Sequence, residues 1–393
     1  MAQLSARLLL ALVAVETVLQ WSRLGAVEAA RWPTSFTLWV LCLLFVVRQP
    51  SVWSGLLRLP TVLFVAFGVW AFASSRWSSV QPSSFALGFG LLAVLLFGAA
   101  YVDRFGWQSF SAVVATALAS FIGLGWLYTL AATGSDSTAD GNRLIGLSSN
   151  PTALGFTAAV MALLAFSGFR GRPTAIGAIL AFAGVVIFLA DARTATISLV
   201  VGVLVIVAAE ARGLLRAFAL SGIMMCAFTF LIVVLAGDTV SPSLARSDLQ
   251  GELETLTGRT ELWDLADGWY ADQPVVGHGI QAATELYAGA QEDGRITWEA
   301  RDAHNTVIHT LLELGLVGAV LLVGFTAAYV VRQFDLPDPR ASAPVVAIHL
   351  VGITEALMHE ATLAVLVLAG AGAGVGVRPR ASAETLRVPT GAG

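Results

Sequence analysis

Residues 301–325 read RDAHNTVIHTLLELGLVGAVLLVGF. A few polar residues give way at His304-Asn305 to an apolar run that extends over residues 305–331. That run is longer than the roughly 20 residues an α-helix needs to cross the hydrocarbon core of a bilayer. Upstream, from about Asp238 to Ala303, the chain is polar, and it interrupts a sequence that otherwise passes from one apolar segment to the next. The junction therefore predicts an all-α, polytopic membrane protein with one long loop outside the membrane, re-entering the bilayer at His304.

Composition agrees. Of 393 residues, 57% are hydrophobic and only 12% are charged, with a mean hydropathy of +0.79. A soluble domain carries roughly 25% charged residues. No stretch outside the spans is long enough for a separate globular core, so residues 1–393 read as a single integral-membrane domain with 238–303 as an extracytoplasmic, lid-like loop. All 22 basic residues are arginine. With the abundant Ala and Gly, that bias looks like a high-GC, bacterial genome. Nucleic-acid binding would need a basic stripe, and none exists. Cys42 and Cys226 sit inside apolar runs, so no disulfide framework is implied. The run after Arg7 resembles a signal peptide, but Glu16 interrupts it and no small-x-small cleavage site follows, so it reads as the first helix.

Apolar segments fall at about 4–21, 34–47, 59–74, 84–101, 109–132, 152–169, 174–190, 194–209, 214–236, 305–331, 343–358 and 360–377, which predicts about 12 transmembrane helices. Arginine in the short loops sets the orientation. With the N-terminus inside, the inner side collects Arg7, Arg48, Arg58, Arg104, Arg170, Arg172, Arg212, Arg216, Arg332, Arg340, Arg378, Arg380 and Arg387. The short outer loops hold only Arg23, Arg31, Arg76, Arg143 and Arg193. Both termini are then cytoplasmic, in the inner membrane of a bacterium.

Three features line up on the outer side: the Gly134–Asn150 loop ending in Asn150-Pro151, the Asp191-Ala192-Arg193-Thr194 hairpin, and the long segment. Asn150-Pro151 is a helix start with proline in the first turn. Inside the long segment, Gly258 to Ala271 is helical in pattern, with Leu262, Leu265, Ala266 and Trp269 on one face. Pro274 and Gly277 stop it, and a second short helix fits Gln281–Ala288. Trp263, Trp269 and Tyr270 are the residues expected where a helix lies at headgroup level.

Ionisable residues at these boundaries are the candidates for chemistry. Arg193 is either a local salt-bridge partner of Asp191 or a guanidinium that grips phosphate oxygens in bidentate fashion. Arg259 opens the amphipathic helix, where the dipole already favours an anion. Arg143 in the outer loop is a third cation of this kind. His304 stands at the re-entry point, where a neutral imidazole is suited to take a proton from an acceptor hydroxyl, and Arg301 three residues earlier would help keep it neutral. His309 and Glu313 are spaced i, i+4 deeper in the same helix, and Glu355 and His359 repeat that spacing near the outer end of the next span. No Walker A loop, dinucleotide fingerprint, zinc spacing, calcium loop or serine elbow is present.

Together these pieces resemble the O-antigen ligase/polymerase family of bacterial membrane glycosyltransferases. The match runs through Gly258-Arg259-Thr260 and Trp263, then Gln273-Pro274 and Gly277-His278-Gly279. It continues as His304-Asn305, Leu311, Glu313-Leu314-Gly315 and Gly318, with Asn150-Pro151, Gly155 and Ala192-Arg193-Thr194 upstream. Gln273 stands where the family commonly has asparagine. The resemblance implies a glycan carried on a polyprenyl diphosphate at the outer leaflet and an acceptor that is glycan, lipid or protein, with membrane lipid around the site. It implies diphosphate contacts from Arg193 and Arg259 and a base or acceptor-orienting role for His304. Arg143, Asn150, Arg301, Asn305, Trp263, Glu355 and His359 are then expected to border the substrates.

The chemistry is consistent with this. Breaking the bond from sugar C1 to a diphosphate needs charge stabilisation on the leaving group, which arginines supply without a metal or cofactor. Polymerisation of repeat units uses the same donor chemistry, and these residues do not separate it from ligation. A transporter or flippase is the reading from another class. It predicts charges through the midplane and repeated halves, whereas here only Glu16, Glu313 and Glu355 enter spans and no repeat is visible.

Overall fold

A computed structural model describes residues 2–19, 25–49, 57–131, 138–139, 143–148, 150–216, 218–219, 221–222, 254–296, 300–332, 339–357 and 362–374; the side chains of residues 2, 25–31, 138–139 and 254–260 lie outside the description. It is an all-α molecule. Its helices, numbered here in chain order, are α1 (Ala2–Leu19), α2 (Gly25–Val47), α3 (Leu59–Ser74), α4 (Gln81–Phe105), α5 (Trp107–Ala131), α6 (Pro151–Gly168), α7 (Pro173–Ala190) and α8 (Arg193–Glu210). They continue as α9 (Glu254–Asp272), α10 (Ala282–Glu292), α11 (Thr306–Arg332), α12 (Ser342–Gly352) and α13 (Leu363–Gly374). A two-residue antiparallel pairing of Thr138–Ala139 with Arg143–Leu144 lies between α5 and α6.

Among the described residues six helices, α4 to α8 and α11, are long and apolar enough to cross a membrane. Residues 32–47 of α2, and α3, α12 and α13, are apolar but shorter. Eleven of the predicted segments thus fall on helices, while most of 214–236 lies outside the described residues. The sorting by burial is physical. In α13 every side chain is buried, as expected of a helix apolar on all sides, and its Gly/Ala run lets α4 approach so closely that a Cβ at Gly98 would sit 2.8 Å from the Leu366 carbonyl oxygen. By contrast, α7 is only 22% buried across its span and forms the rim.

Residues assigned to one side gather at one end. Arg340 binds Glu210 and donates to the Phe166 carbonyl at 2.7 Å, and Arg58 binds Asp103 at 3.3 Å and the Ala373 carbonyl. The 274–280 segment, the α7–α8 corner and His304 occupy the other end.

The unexpected element is α11, which breaks at Gly315 (φ 64°, ψ −166°). In an unbroken helix the N–H groups of residues 316 and 317 would bond the carbonyls of 312 and 313. Here the segment after α9 is inserted into the gap and takes both sides. The Leu312 and Glu313 carbonyls accept from the N–H groups of His278 (3.0 Å) and Gly279 (2.7 Å). The N–H groups of Leu316 and Val317 donate to Pro274 (2.9 Å) and Val275 (3.2 Å). The Trp70 indole satisfies the Leu314 carbonyl at 2.9 Å. Five backbone groups at the break are thereby re-paired, as irregular backbone near a bilayer requires. Both Gly277 (φ 69°) and Gly315 hold left-handed backbone. A Cβ on either would overlap the opposite backbone, Glu313 for one and Val275 for the other.

The turn between α3 and α4 grips the same segment. Trp77 donates to the Gly277 carbonyl at 3.1 Å. The Ile280 N–H is accepted by the Ser74 hydroxyl, and its carbonyl accepts from Ser78 and Ser84 at 2.9 and 2.8 Å.

Candidate functional site

The α7–α8 corner supplies the first wall. Asp191 ends α7 in left-handed conformation (φ 47°), and Arg193 is the first residue of α8, exposed. Ala192 at the N-cap contributes no side-chain cap, so the positive end of the α8 dipole and the Arg193 guanidinium share one place, a combination suited to an anion. The corner is close-packed on α6, where a Cβ at Gly155 would overlap Ala192. The Arg143 guanidinium straps it, donating to the carbonyls of Ala190 (3.1 Å) and Asp191 (3.3 Å). Asn150 accepts from the Ala153 N–H at 2.7 Å, which makes it the N-cap of α6.

His304 stands on the second wall. Arg301, expected three residues before it to keep it neutral, is not joined to it by a helix: residues 301–305 are irregular and the helix begins at Thr306. His304 itself is left-handed (φ 46°), with its N–H held by the Asp302 carboxylate at 2.7 Å. Its Nδ1 lies 3.4 Å from both Asp302 Oδ1 and Glu355 Oε2. Arg301 is exposed, and its carbonyl accepts from Thr284 at 3.3 Å. Glu355 is likewise off the helix expected for it, because α12 ends at Gly352 and residues 353–357 run irregularly. His359 lies outside the described residues.

Residues 353–357 join the two walls. Asn305 donates to the Ile353 carbonyl at 3.0 Å while its own carbonyl oxygen caps α11 through the N–H groups of Val307 and Ile308. Thr306 donates to the Glu355 carbonyl at 2.7 Å and accepts from the Leu357 N–H. On the other side, the Thr354 hydroxyl donates to that of Thr194 at 3.4 Å, one residue from Arg193. The same five residues therefore carry Glu355 to His304 and touch the corner that bears Arg193.

Residues 262–303 build a small core of their own, completed by Leu312 of α11. It contains Leu262, Ala266, Ala283, Tyr287, Ile296 and Ala303. The predicted helices at 258–271 and 281–288 are real and slightly longer, as α9 and α10. Their aromatics serve the lid itself: Trp269 packs edge-on against Tyr287 at 5.1 Å, and the Trp263 indole donates to the Ala303 carbonyl at 2.9 Å, just before His304. Arg259 belongs to the first turns of α9, but its side chain lies outside the described residues.

A buried histidine–glutamate pair ties α10 to α11. Glu313 Oε1 lies 3.3 Å from His309 Nε2 and accepts from the Ala283 N–H at 3.3 Å, at the start of α10. Gln281, the N-cap of α10, makes no side-chain cap, so Glu313 performs that task from another helix. The Tyr287 hydroxyl then donates to the Leu262 carbonyl at 3.1 Å. Burial, and after it the nearby carboxylates of Asp302 and Glu313, push the Tyr287 phenol far above its ordinary value, so it remains a donor.

Sequence reasoning did not find Asp302 or the Thr194–Thr354 contact. An Asp two residues before a turn residue is a recognisable local signal; the threonine pair, 160 residues apart, has none.

Comparison with known proteins yields one family. Residues 178–323 match the family model described as O-antigen ligase. No curated protein matches the chain. The matched stretch takes in most of α7, all of α8 to α10 and the broken part of α11, whereas Glu355 lies beyond it.

Proposed function

With an O-antigen ligase domain over residues 178–323 as the starting point, we propose that the protein moves a polyprenyl-diphosphate-linked glycan to an acceptor hydroxyl at the outer face of the cytoplasmic membrane. The observation that supports this reading is the 353–357 segment, whose Glu355 carboxylate lies 3.4 Å from His304 and whose Thr354 hydroxyl meets that of Thr194, next to Arg193.

The residues divide the reaction as follows. The bond from sugar C1 to the diphosphate oxygen breaks and a bond from C1 to the acceptor oxygen forms. Arg193, at the positive end of α8, and Arg259, in the second turn of α9 and not at the helix start expected for it, hold the leaving diphosphate and stabilise its developing charge. His304 receives the acceptor proton. With Nδ1–H directed at Glu355 and Asp302, Nε2 is the basic nitrogen, and the carboxylates stabilise the imidazolium that forms. Attack opposite the leaving group inverts the anomeric centre. Asn305, Trp263 and Arg301 act here through backbone placement of His304, and Arg143 and Asn150 through placement of the Arg193 corner.

The test is transfer from a lipid-linked glycan by the purified protein. His304→Ala is expected to lower turnover about 10²–10⁴-fold, the usual worth of a positioned general base. Arg193→Ala and Arg259→Ala are each expected to cost about 10²–10³-fold. Near wild-type rates in any of them would remove that residue from the proposal. Full activity in EDTA is expected, because the charge stabilisation comes from guanidinium groups. Chain lengths of the products distinguish transfer of finished glycan from polymerisation of repeat units.

A further inference from the structure

α1 and α5 run side by side, and a cavity of about 570 Å³ extends along them from the end of the bundle that carries Arg7 and Ser109. Its composition is graded. At one end stand Arg7 and Ser109, and at the other Phe121 and Leu124, the latter 60% exposed. Small side chains such as Ala112 make the room, and the Thr116 hydroxyl turns back to the Ala112 carbonyl at 2.8 Å, leaving an apolar wall. Ser109 to Leu124 covers 16 residues of α5, or about 22 Å of helix from first to last. That exceeds one leaflet of a hydrocarbon core of about 30 Å, enough for an extended acyl chain.

The polar end is cationic. The Ser109 hydroxyl lies 3.2 Å from that of Tyr101, which is within hydrogen-bonding reach of Arg7. Arg104, exposed in the last turn of α4, is three residues past Tyr101. The acidic residue beside it, Asp103, is engaged by Arg58 at 3.3 Å. The Arg7 guanidinium and the Ser109 hydroxyl at the mouth of an apolar groove, with exposed Arg104 on the neighbouring end of α4, complement one chemistry, a phosphate ester attached to a hydrocarbon chain.

We propose that the α1–α5 groove is a binding site for an anionic phospholipid, with one acyl chain between the helices and the phosphate held by Arg7, Ser109 and Arg104. The site is separate from the proposed transfer reaction and stands or falls without it.

Native mass spectrometry of the full chain, released from membranes containing equal amounts of phosphatidylglycerol and phosphatidylcholine, tests this. Phosphatidylglycerol is expected to be retained preferentially. Arg7→Gln should lower that retention about tenfold, the worth of one charge-assisted contact. Ser120→Trp, on an exposed groove position, should fill the cavity and abolish retention while the melting temperature without added lipid stays unchanged. Equal retention of both lipids overturns the headgroup assignment. Undiminished retention in Ser120→Trp overturns the groove. If Arg7→Gln fails to fold, Arg104→Gln supplies the same comparison of headgroups.

Discussion

Glu313 shows how much one side chain does in this molecule. Its carbonyl accepts from Gly279 across the break in α11, and its carboxylate binds His309 and caps α10. Both side chains of the pair are almost fully buried. Removing one partner of such a pair leaves an uncompensated charge, at about 3–5 kcal/mol, whereas replacing both with apolar groups is often nearly neutral. Glu313→Ala is therefore expected to lower the melting temperature steeply, and a second change, His309→Leu, to recover part of the loss. A thermal scan of both variants measures this, and no recovery in the double variant would mean that the pair is held for the α10 cap alone. At the transfer site the same logic separates His304 from its neighbours. Glu355→Gln keeps the shape and loses the charge that stabilises the imidazolium, so its turnover should fall less than that of His304→Ala, with KM little changed. A KM effect alone would make Glu355 a substrate contact instead.

Helices were legible in the sequence because apolar length and period are local properties, and eleven predicted segments coincide with observed helices. What failed was anything that depends on a distant partner. Glu313-Leu314-Gly315 reads as continuous helix, and nothing nearby signals that Pro274 and Val275 will take over its hydrogen bonds. Glu355 and His359 read as one helical face, yet α12 stops at Gly352 because residues 353–357 are tied to Asn305, Thr306 and Thr194. Nor did the sequence show that Arg143 and Asn150, expected to border the substrates, also bond helix ends. The glycines make the break testable. Gly315→Ala and Gly277→Ala combine left-handed backbone with an overlap against opposing backbone, so each is expected to cost more than about 3 kcal/mol. Gly123→Ala, in the interior of α5 with open space around it, should be neutral or slightly stabilising. Folded yield by fluorescence-detected gel filtration checks the contrast.

At the scale of the whole molecule, arginine asymmetry and the observed packing agree on which segments share an end, and together they predict sidedness. A cysteine at Asp293, beyond α10 and exposed, should react with an impermeant thiol reagent in intact cells. One at Arg172, before α7 and exposed, should react only after permeabilisation. The reverse pattern would invert the topology and place the proposed site in the cytoplasm. The insertion at Gly315 also constrains traffic. Swinging the lid away would strand four backbone groups of α11, at about 1–3 kcal/mol each, and would tear Ile280 from three serines. Residues 274–280 are thus a fixed wall and not a door. On the proposed function, a lipid-borne substrate therefore reaches the site, and the product leaves it, with residues 274–280 staying in place.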